Sequence, residues 1–412
     1  MERPPAKKRR ESKNHQEIPN PINSNFSSLN PPTSTRDPIP FDVIYDIFTA
    51  LPVKSLVRFQ FLSKFCHSII NDQTFARSHR PITKPDSGLL ITFPTKLQTA
   101  QTFYISGLNG GSATHRLTIP PRFSRYTTHS INGIVCLDFG LTAVVCNPST
   151  GRSTTLPFVS NPRATPAPPT YYCVNSFGFD PISQNYKVLN SWRIHGKQET
   201  EYRVFTVGGT ATSWRELESG PPYYPQRESL CLNGVVYFRS WGDSSKRAQA
   251  VMVAFDVREE SFKEIQLHRN APLDAATSCL AKLGGRVVIA KFVQVQQDAK
   301  LTFWELDDSS RKSVWVERSF LFTSWTPAVD SSLFVVVGQA SGGDSAEDEI
   351  VIAPRVLSSP LLLCYYNRVK STFRWVEVSG LPPYDPFDLS SNSVMVTNYE
   401  ENIWPIAPAS KS

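Results

Sequence analysis

From about residue 87 onward, apolar and polar residues alternate with a period of two. Short runs such as GLLITF, GIVCLDF, TAVVCNP, YKVLNSW, GVVYFRSW, VMVAFDV, RVVIAKF, LTFWELD and LLLCYYN are separated by clusters of Gly, Asn, Asp, Pro and Ser. Alternation of that kind, with turn residues between the runs, predicts an all-β body of ordinary-length strands. Upstream the period changes. In DPIPFDVIYDIFTALP, Ile44, Ile47, Phe48 and Leu51 recur at i, i+3, i+4 and i+7, which is one face of a helix. Asp42 suits its first turn, and Pro52 ends it. VKSLVRF and LSKFCHSIIND keep the helical character, the second through Leu62, Phe65 and Ile69, and Asp72 is placed to cap one more short helix. The expected unit is three or four short helices over residues 37–82.

The strands repeat as a group. The stretches 130–157, 176–218, 229–267, 278–320 and 332–382 each run strand, polar turn, then a strand opened by an aromatic or apolar residue. Repeats of roughly 40 to 55 residues, each able to form a four-stranded sheet, suggest propeller blades. Strands near 87–104 and 390–406 are placed to close the ring by sharing a blade. The fold class expected is therefore α+β and multidomain: a short all-α helical module at 37–82, then an all-β, propeller-like domain at 87–408 with about six degenerate blades.

Charge changes the picture only at the front. Of the formal net charge of +7, residues 1–36 carry +4, so the basic balance belongs largely to a tail. That tail holds six Pro, five Asn and five Ser with little apolar content, and such a segment cannot offset its ordering entropy, so a disordered basic tail is expected. Lys7, Lys8, Arg9 and Arg10 form a compact cationic run within it, a candidate nuclear-import signal or a solubilising tail. The body is close to neutral, which argues against a nucleic-acid groove across it. Seven scattered cysteines without a CxxC pair read as reduced thiols of a nuclear or cytoplasmic protein. No apolar run approaches the length of a membrane span, and the N-terminal charges are not followed by the apolar stretch of a secretory signal.

Candidate chemistry is sparse. The seven histidines show no HxH, HExxH or Cys/His spacing for a metal, and GxSxG, P-loop and strand-to-helix GxGxxG motifs are absent. No catalytic residue, metal or cofactor is expected. The stretches 161–170, 219–229 and 341–349 are candidate contact loops on one face of a propeller, or ordinary connectors.

The functional signal lies in the helical unit, whose apolar side chains exceed what so small a segment can cover; the surplus face is either an interaction surface or a face packed on the β body with a structural role. The stretch IPFDVIYDIFTALPVKSLVRFQFLSKFCHSIINDQTFARSHR resembles the F-box of plant F-box proteins. The matching positions include Pro40, Ile44, Ile47, Phe48, Leu51-Pro52-Val53-Lys54-Ser55-Leu56, Arg58-Phe59, Ser63-Lys64, Asp72 and Phe75. SINGIVCLDF, NPSTGR, FGFDPISQNYKVL, LNGVVYF, AFDVREESFKEI and KLGGRVVIA look like stretches of the type 3 F-box-associated domain. The resemblance implies a non-catalytic substrate receptor of an SCF-type ubiquitin ligase. The F-box would dock a Skp1-like adaptor, and through it a cullin and a RING protein. The adaptor-binding residues would be Pro40, Ile44, Ile47, Phe48, Leu51, Pro52, Val53, Leu56, Phe59, Ser63 and Lys64, with Lys54, Arg58 and Lys64 ringing the patch. The β domain would hold a target protein. The alternative is a carbohydrate- or RNA-binding or scaffold domain without a role in degradation.

Overall fold

The computed structural model describes residues 39–79, 87–95, 100–120, 127–159, 171–194, 199–209, 213–241, 250–272, 277–295, 298–308, 313–322, 334–339, 349–383 and 394–406. The expected tail at 1–36, with Lys7, Lys8, Arg9 and Arg10, lies outside the described residues, as do 161–170 and 341–348.

Four short helices come first: α1 (Phe41–Ala50), α2 (Val53–Phe59), α3 (Lys64–Ile70) and α4 (Gln73–Ser78). Their ends follow from local chemistry. Pro40 and Pro52 stand at the N-caps of α1 and α2, where a missing N–H costs nothing. Ser63 caps α3 by accepting from the Cys66 N–H at 3.1 Å. Asp72 caps α4, its Oδ1 accepting from Thr74 N–H at 2.7 Å and Phe75 N–H at 3.1 Å.

The rest of the described chain is strands joined by turns and short irregular segments. Blade 1 holds β1 (Ser87–Pro94), β2 (Gln101–Gly107) and β3 (Gly110–Ile119). Blade 2 holds β4 (Thr127–Ile131), β5 (Ile134–Asp138), β6 (Ala143–Asn147) and β7 (Arg152–Thr155). Blade 3 holds β8 (Tyr171–Asp180), β9 (Asn185–Ile194), β10 (Thr200–Val207) and β11 (Arg215–Glu216). Blade 4 holds β12 (Tyr224–Leu232), β13 (Val235–Trp241), β14 (Ala250–Asp256) and β15 (Phe262–Gln266). Blade 5 holds β16 (Cys279–Leu283), β17 (Arg286–Val295), β18 (Asp298–Asp307) and β19 (Val314–Phe322). Blade 6 holds β20 (Phe334–Gln339), β21 (Glu349–Pro354), β22 (Leu361–Asn367) and β23 (Thr372–Ser379). The last strand, β24 (Met395–Glu400), returns to blade 1 and pairs antiparallel with β1, Ser87 opposite Glu400.

Each blade is an antiparallel meander of four strands. The strands β24, β4, β8, β12, β16 and β20 touch one another in that order and back to β24, so they form the inner ring. An apolar core fills each gap between neighbouring blades, for example Leu90, Val135 and Tyr399 between blades 1 and 2. Strands β5 and β6 are buried along their whole length because both faces meet neighbouring blades, whereas β7 at the outer edge is partly open. The outer strands of blades 6 and 1 also join through a short parallel contact, Val378 opposite Gly111 and Ser379 opposite Ser112. The all-β expectation and the shared closing blade are both found.

The hairpins are set by their turn residues. Asn132-Gly133, between β4 and β5, and Asn233-Gly234, between β12 and β13, take positive φ at both positions. That is the geometry of a two-residue hairpin loop, which Asn-Gly adopts with the least strain.

Candidate functional site

The ring has two faces, and the inner strands run from one to the other. The helices sit at the face where the inner strands end. Phe48, Val53, Leu56, Ile69, Ile70 and Phe75 form one buried cluster, and the residue that completes it is Ile403, from beyond β24. Segment 401–406 is the bridge between the helices and the ring. Trp404 enters the core between blades 2 and 3, with its ring edge-on to Tyr186 at 5.4 Å. Glu401 lies 3.7 Å from Lys54 of α2 and 3.9 Å from Arg116 of β3.

The turn NPSTGR, between β6 and β7, holds this bridge. Asn147 is fully buried and donates from Nδ2 to the carbonyls of Asn402 at 2.9 Å and Trp404 at 3.0 Å. Ser149 Oγ accepts from the Asn402 N–H at 2.9 Å and also meets the Tyr399 hydroxyl. Arg152 lies 3.2 Å from His67 Nε2 of α3. Two further links tie α4 to blade 3: Gln73 Nε2 donates to the Gly208 carbonyl at 2.7 Å, and Arg77 donates to Asn185 Oδ1 at 2.9 Å. The motif that looked like a family marker in the sequence thus has a mechanical role.

The expected adaptor-binding residues separate into two groups. Phe48, Val53 and Leu56 are turned inward, and Ile44, Leu51 and Phe59 are half-buried against the same cluster. Of the apolar face expected on Leu51, Val53 and Leu56, Val53 and Leu56 are buried with Ile403 and Leu51 is half-buried beside them. Four short helices do cover these side chains, because Ile403 supplies the surface that the module lacks on its own. Pro40, Ile47, Pro52, Ser63 and Lys64 are exposed. Among the described residues of the module, the large apolar side chains left open are Ile39, just before α1, Val43 and Ile47, one turn apart on α1, and Phe61 and Leu62, between α2 and α3. Phe61 is 85% exposed and Leu62 70%. Lys54, Arg58 and Lys64 are exposed as well.

The face where the inner strands begin carries a different site, and its centre is an irregularity in β12. Pro225 pairs with Ser240 and Ser229 with Phe238, so Gln226, Arg227 and Glu228 stand opposite Arg239 alone. A bulge redirects side chains away from the regular ladder. Here it sends two neighbours to opposite sides of the mouth. Glu228 accepts from Arg239 of its own blade at 2.6 Å and reaches blade 5, where it accepts from the Leu280 N–H at 2.9 Å. Arg239, fully buried, also donates to Ser278 Oγ at 2.6 Å and to the Pro272 carbonyl at 3.1 Å. Arg355 of blade 6 donates to the Ser278 carbonyl at 3.0 Å. Arg227 instead points toward blade 2, and its guanidinium lies 3.5 Å from Asp138 Oδ2 and 5.7 Å from the Tyr172 ring centre.

Asp138 is fully buried, and its two oxygens are treated unequally. Oδ1 accepts from the Gly140 N–H and from Asn175 Nδ2, each at 2.7 Å. Oδ2 accepts no hydrogen bond. Burial pushes this carboxyl up to about 6, against the pull of the Gly140 N–H and of Arg227. On β4, His129 lies 3.2 Å from Ser229 Oγ, and burial brings its imidazole down to about 4. Among the described residues, no group of His, Cys, Asp and Glu is arranged to hold a metal ion. The stretch 219–229, read in sequence as a contact loop or connector, is a connector at 219–223 followed by the start of β12 with its bulge. A run of Pro, Tyr, Gln, Arg and Glu was its only signal.

The family model for the F-box associated beta propeller domain matches residues 82–400. Two relatives from Arabidopsis thaliana are similar over most of their length. F-box protein At4g11590 is 26% identical over 390 residues, covering 89% of this chain and 92% of the relative. F-box protein DOR is 28% identical over 364 residues, covering 84% of this chain and 89% of the relative.

Proposed function

The chain belongs to the F-box associated β-propeller family, and from that premise we propose that it is the substrate-recognition subunit of an SCF-type ubiquitin ligase. Relatives named F-box proteins support the receptor role in general. In this reading the helices dock a Skp1-like adaptor, which brings a cullin and a RING protein. The propeller holds the target, and the chemistry of ubiquitin transfer belongs to the partners.

The observation that carries the reading is the division of the helical module. One set of apolar side chains is fixed to the ring through Ile403, and Val43, Ile47, Phe61 and Leu62 remain exposed. Large apolar side chains exposed together on a small module mark an association surface. Lys54, Arg58 and Lys64 would steer an acidic partner toward it.

The test is co-expression with a Skp1-like adaptor and capture on it. The full chain is captured, and the Ile47→Glu/Phe61→Glu variant, altered only at exposed positions, is not. A folded wild-type chain that the adaptor fails to capture would refute the reading.

A further inference from the structure

Among the described residues, Arg227 differs from the other arginines at this face of the ring. Arg239 donates to three partners, and Arg355 donates to the Ser278 carbonyl. Arg227 makes no hydrogen bond among the described residues. Its nearest acceptor, Asp138 Oδ2, is 3.5 Å away, beyond good hydrogen-bond distance. Its side chain is 40% exposed, whereas that of Asp138 is sealed. So a guanidinium with five donors opens to solvent at the mouth of the ring, flanked by the Tyr172 ring.

This arrangement is built rather than incidental. A regular β12 would have no residue free to cross the mouth. The three-residue bulge supplies one, and Glu228 and Arg239 pin the far side of the bulge with buried bonds. They also neutralise one another. Among the described residues, Arg227 is the cation of the mouth that faces solvent; its ion-pair partner Asp138, sealed 3.5 Å behind it, holds the guanidinium in place and leaves its outward donors open. A planar cationic fork of this kind matches an oxyanion that offers two acceptor oxygens.

We propose that Arg227 is the recognition residue of a site at the propeller mouth for an acidic segment of the target protein, and that it binds a carboxylate or phosphoryl oxyanion against the wall formed by Tyr172. The assignment of that segment to a ubiquitination target rests on the receptor reading above. The oxyanion site itself does not.

The test uses the purified full chain and three fluorescein-labelled decapeptides, one rich in glutamate, one carrying phosphoserine and one rich in glutamine, read by fluorescence anisotropy. Wild type binds at least one of the acidic peptides and prefers it to the glutamine peptide, and the relative affinities of the two identify the oxyanion. Arg227→Gln removes no side-chain hydrogen bond but does remove the ion pair with Asp138, so its thermal melt is read alongside; in a chain that melts as a folded protein it weakens that binding at least tenfold. Arg227→Lys keeps the charge without the fork and falls between. Equal binding by wild type and Arg227→Gln, or no preference for either acidic peptide, overturns the proposal. Adaptor capture is measured on the same preparations. Capture without acidic-peptide binding overturns the mouth site and leaves the receptor reading in place. Arg227-dependent peptide binding without capture supports the mouth site and removes the receptor reading.

Discussion

Ile403 and Trp404 are neighbours in the chain and belong to different cores. Ile403 completes the interior of the four helices, and Trp404 fills the gap between blades 2 and 3. Successive residues of an extended segment point to opposite sides, so one short stretch can bind two bodies together. Replacing each by alanine separates the two roles. Trp404→Ala costs about 3–5 kcal/mol and lowers the melting temperature of the whole chain. Ile403→Ala costs about 2–4 kcal/mol and acts on the helices first. Hydrogen exchange by mass spectrometry should show residues 41–78 losing protection in Ile403→Ala while the inner strands keep theirs.

Leu56 and Phe61 make a second contrast, five residues apart. Leu56 is fully buried, so Leu56→Ala loses about 2–5 kcal/mol of stability through the cavity it leaves. Phe61 is open to solvent, so Phe61→Ala changes stability by no more than about 0.5 kcal/mol. On the receptor reading it still weakens adaptor binding by more than about 1 kcal/mol. Thermal melts and adaptor titrations on the two variants check both halves. A Phe61→Ala chain with unchanged melting and unchanged titration would remove Phe61 from the docking surface.

Ring closure depends on one hairpin glycine. Gly133 has φ of 77°, and an added Cβ would collide with the Glu400 carbonyl oxygen at the end of β24. Gly133→Ala therefore imposes backbone strain and pushes the closing strand away from the turn. The expected loss exceeds about 1 kcal/mol. Gly151→Ala is the control, since it also sits at positive φ, 71°, but meets nothing within 4 Å. It should show the strain without the collision, and denaturant midpoints should rank the two accordingly.

His129 and Asp138 give the mouth opposed responses to acid. The imidazole of His129 is held down at about 4, so the unfolded chain takes up its proton first, and stability is lost as pH falls from 6.5 toward 4. The carboxyl of Asp138 is raised to about 6, so the folded chain takes up its proton first, and stability is gained as pH falls from 6 toward 3.8. Each shift corresponds to about 3 kcal/mol, so the two nearly cancel across that window. Asp138→Asn should leave the acid sensitivity of His129 uncovered, with a steeper fall in melting temperature between pH 6.5 and 4. His129→Gln should reverse the slope there. Parallel pH profiles for wild type and both variants would show that neither group titrates differently on folding.

Much of this architecture is legible in the sequence because it is local. Asn132-Gly133 and Asn233-Gly234 announce hairpins, Asp72 announces a cap, and the period of two announces strands. The closing role of the last strand can be read too, since one blade lacked an inner strand. What the sequence does not display is cover supplied from far away. Leu56 looked like surplus apolar surface because Ile403, its neighbour in space, lies some 350 positions later. The bulge at Gln226–Glu228 is hidden for a related reason. It is defined by a mismatch of register with β13, and register is a property of two strands. Asn147 was visible as part of a motif, but its use as a clamp for residues 402 and 404 depends on where the chain returns.

That return has a consequence for the order of events during synthesis. The helices are the first part of the described chain to leave the ribosome, and they emerge with one side of their interior open. Blade 1 is likewise short of its inner strand until residues 395–400 appear. Both deficits are met within the same dozen residues, by β24 and then by Ile403 and Trp404. A chain truncated shortly before this point would lack a closed ring and a finished helical cluster together. The helices are made first and completed last, so a chain that presents a finished helical module has a closed propeller behind it.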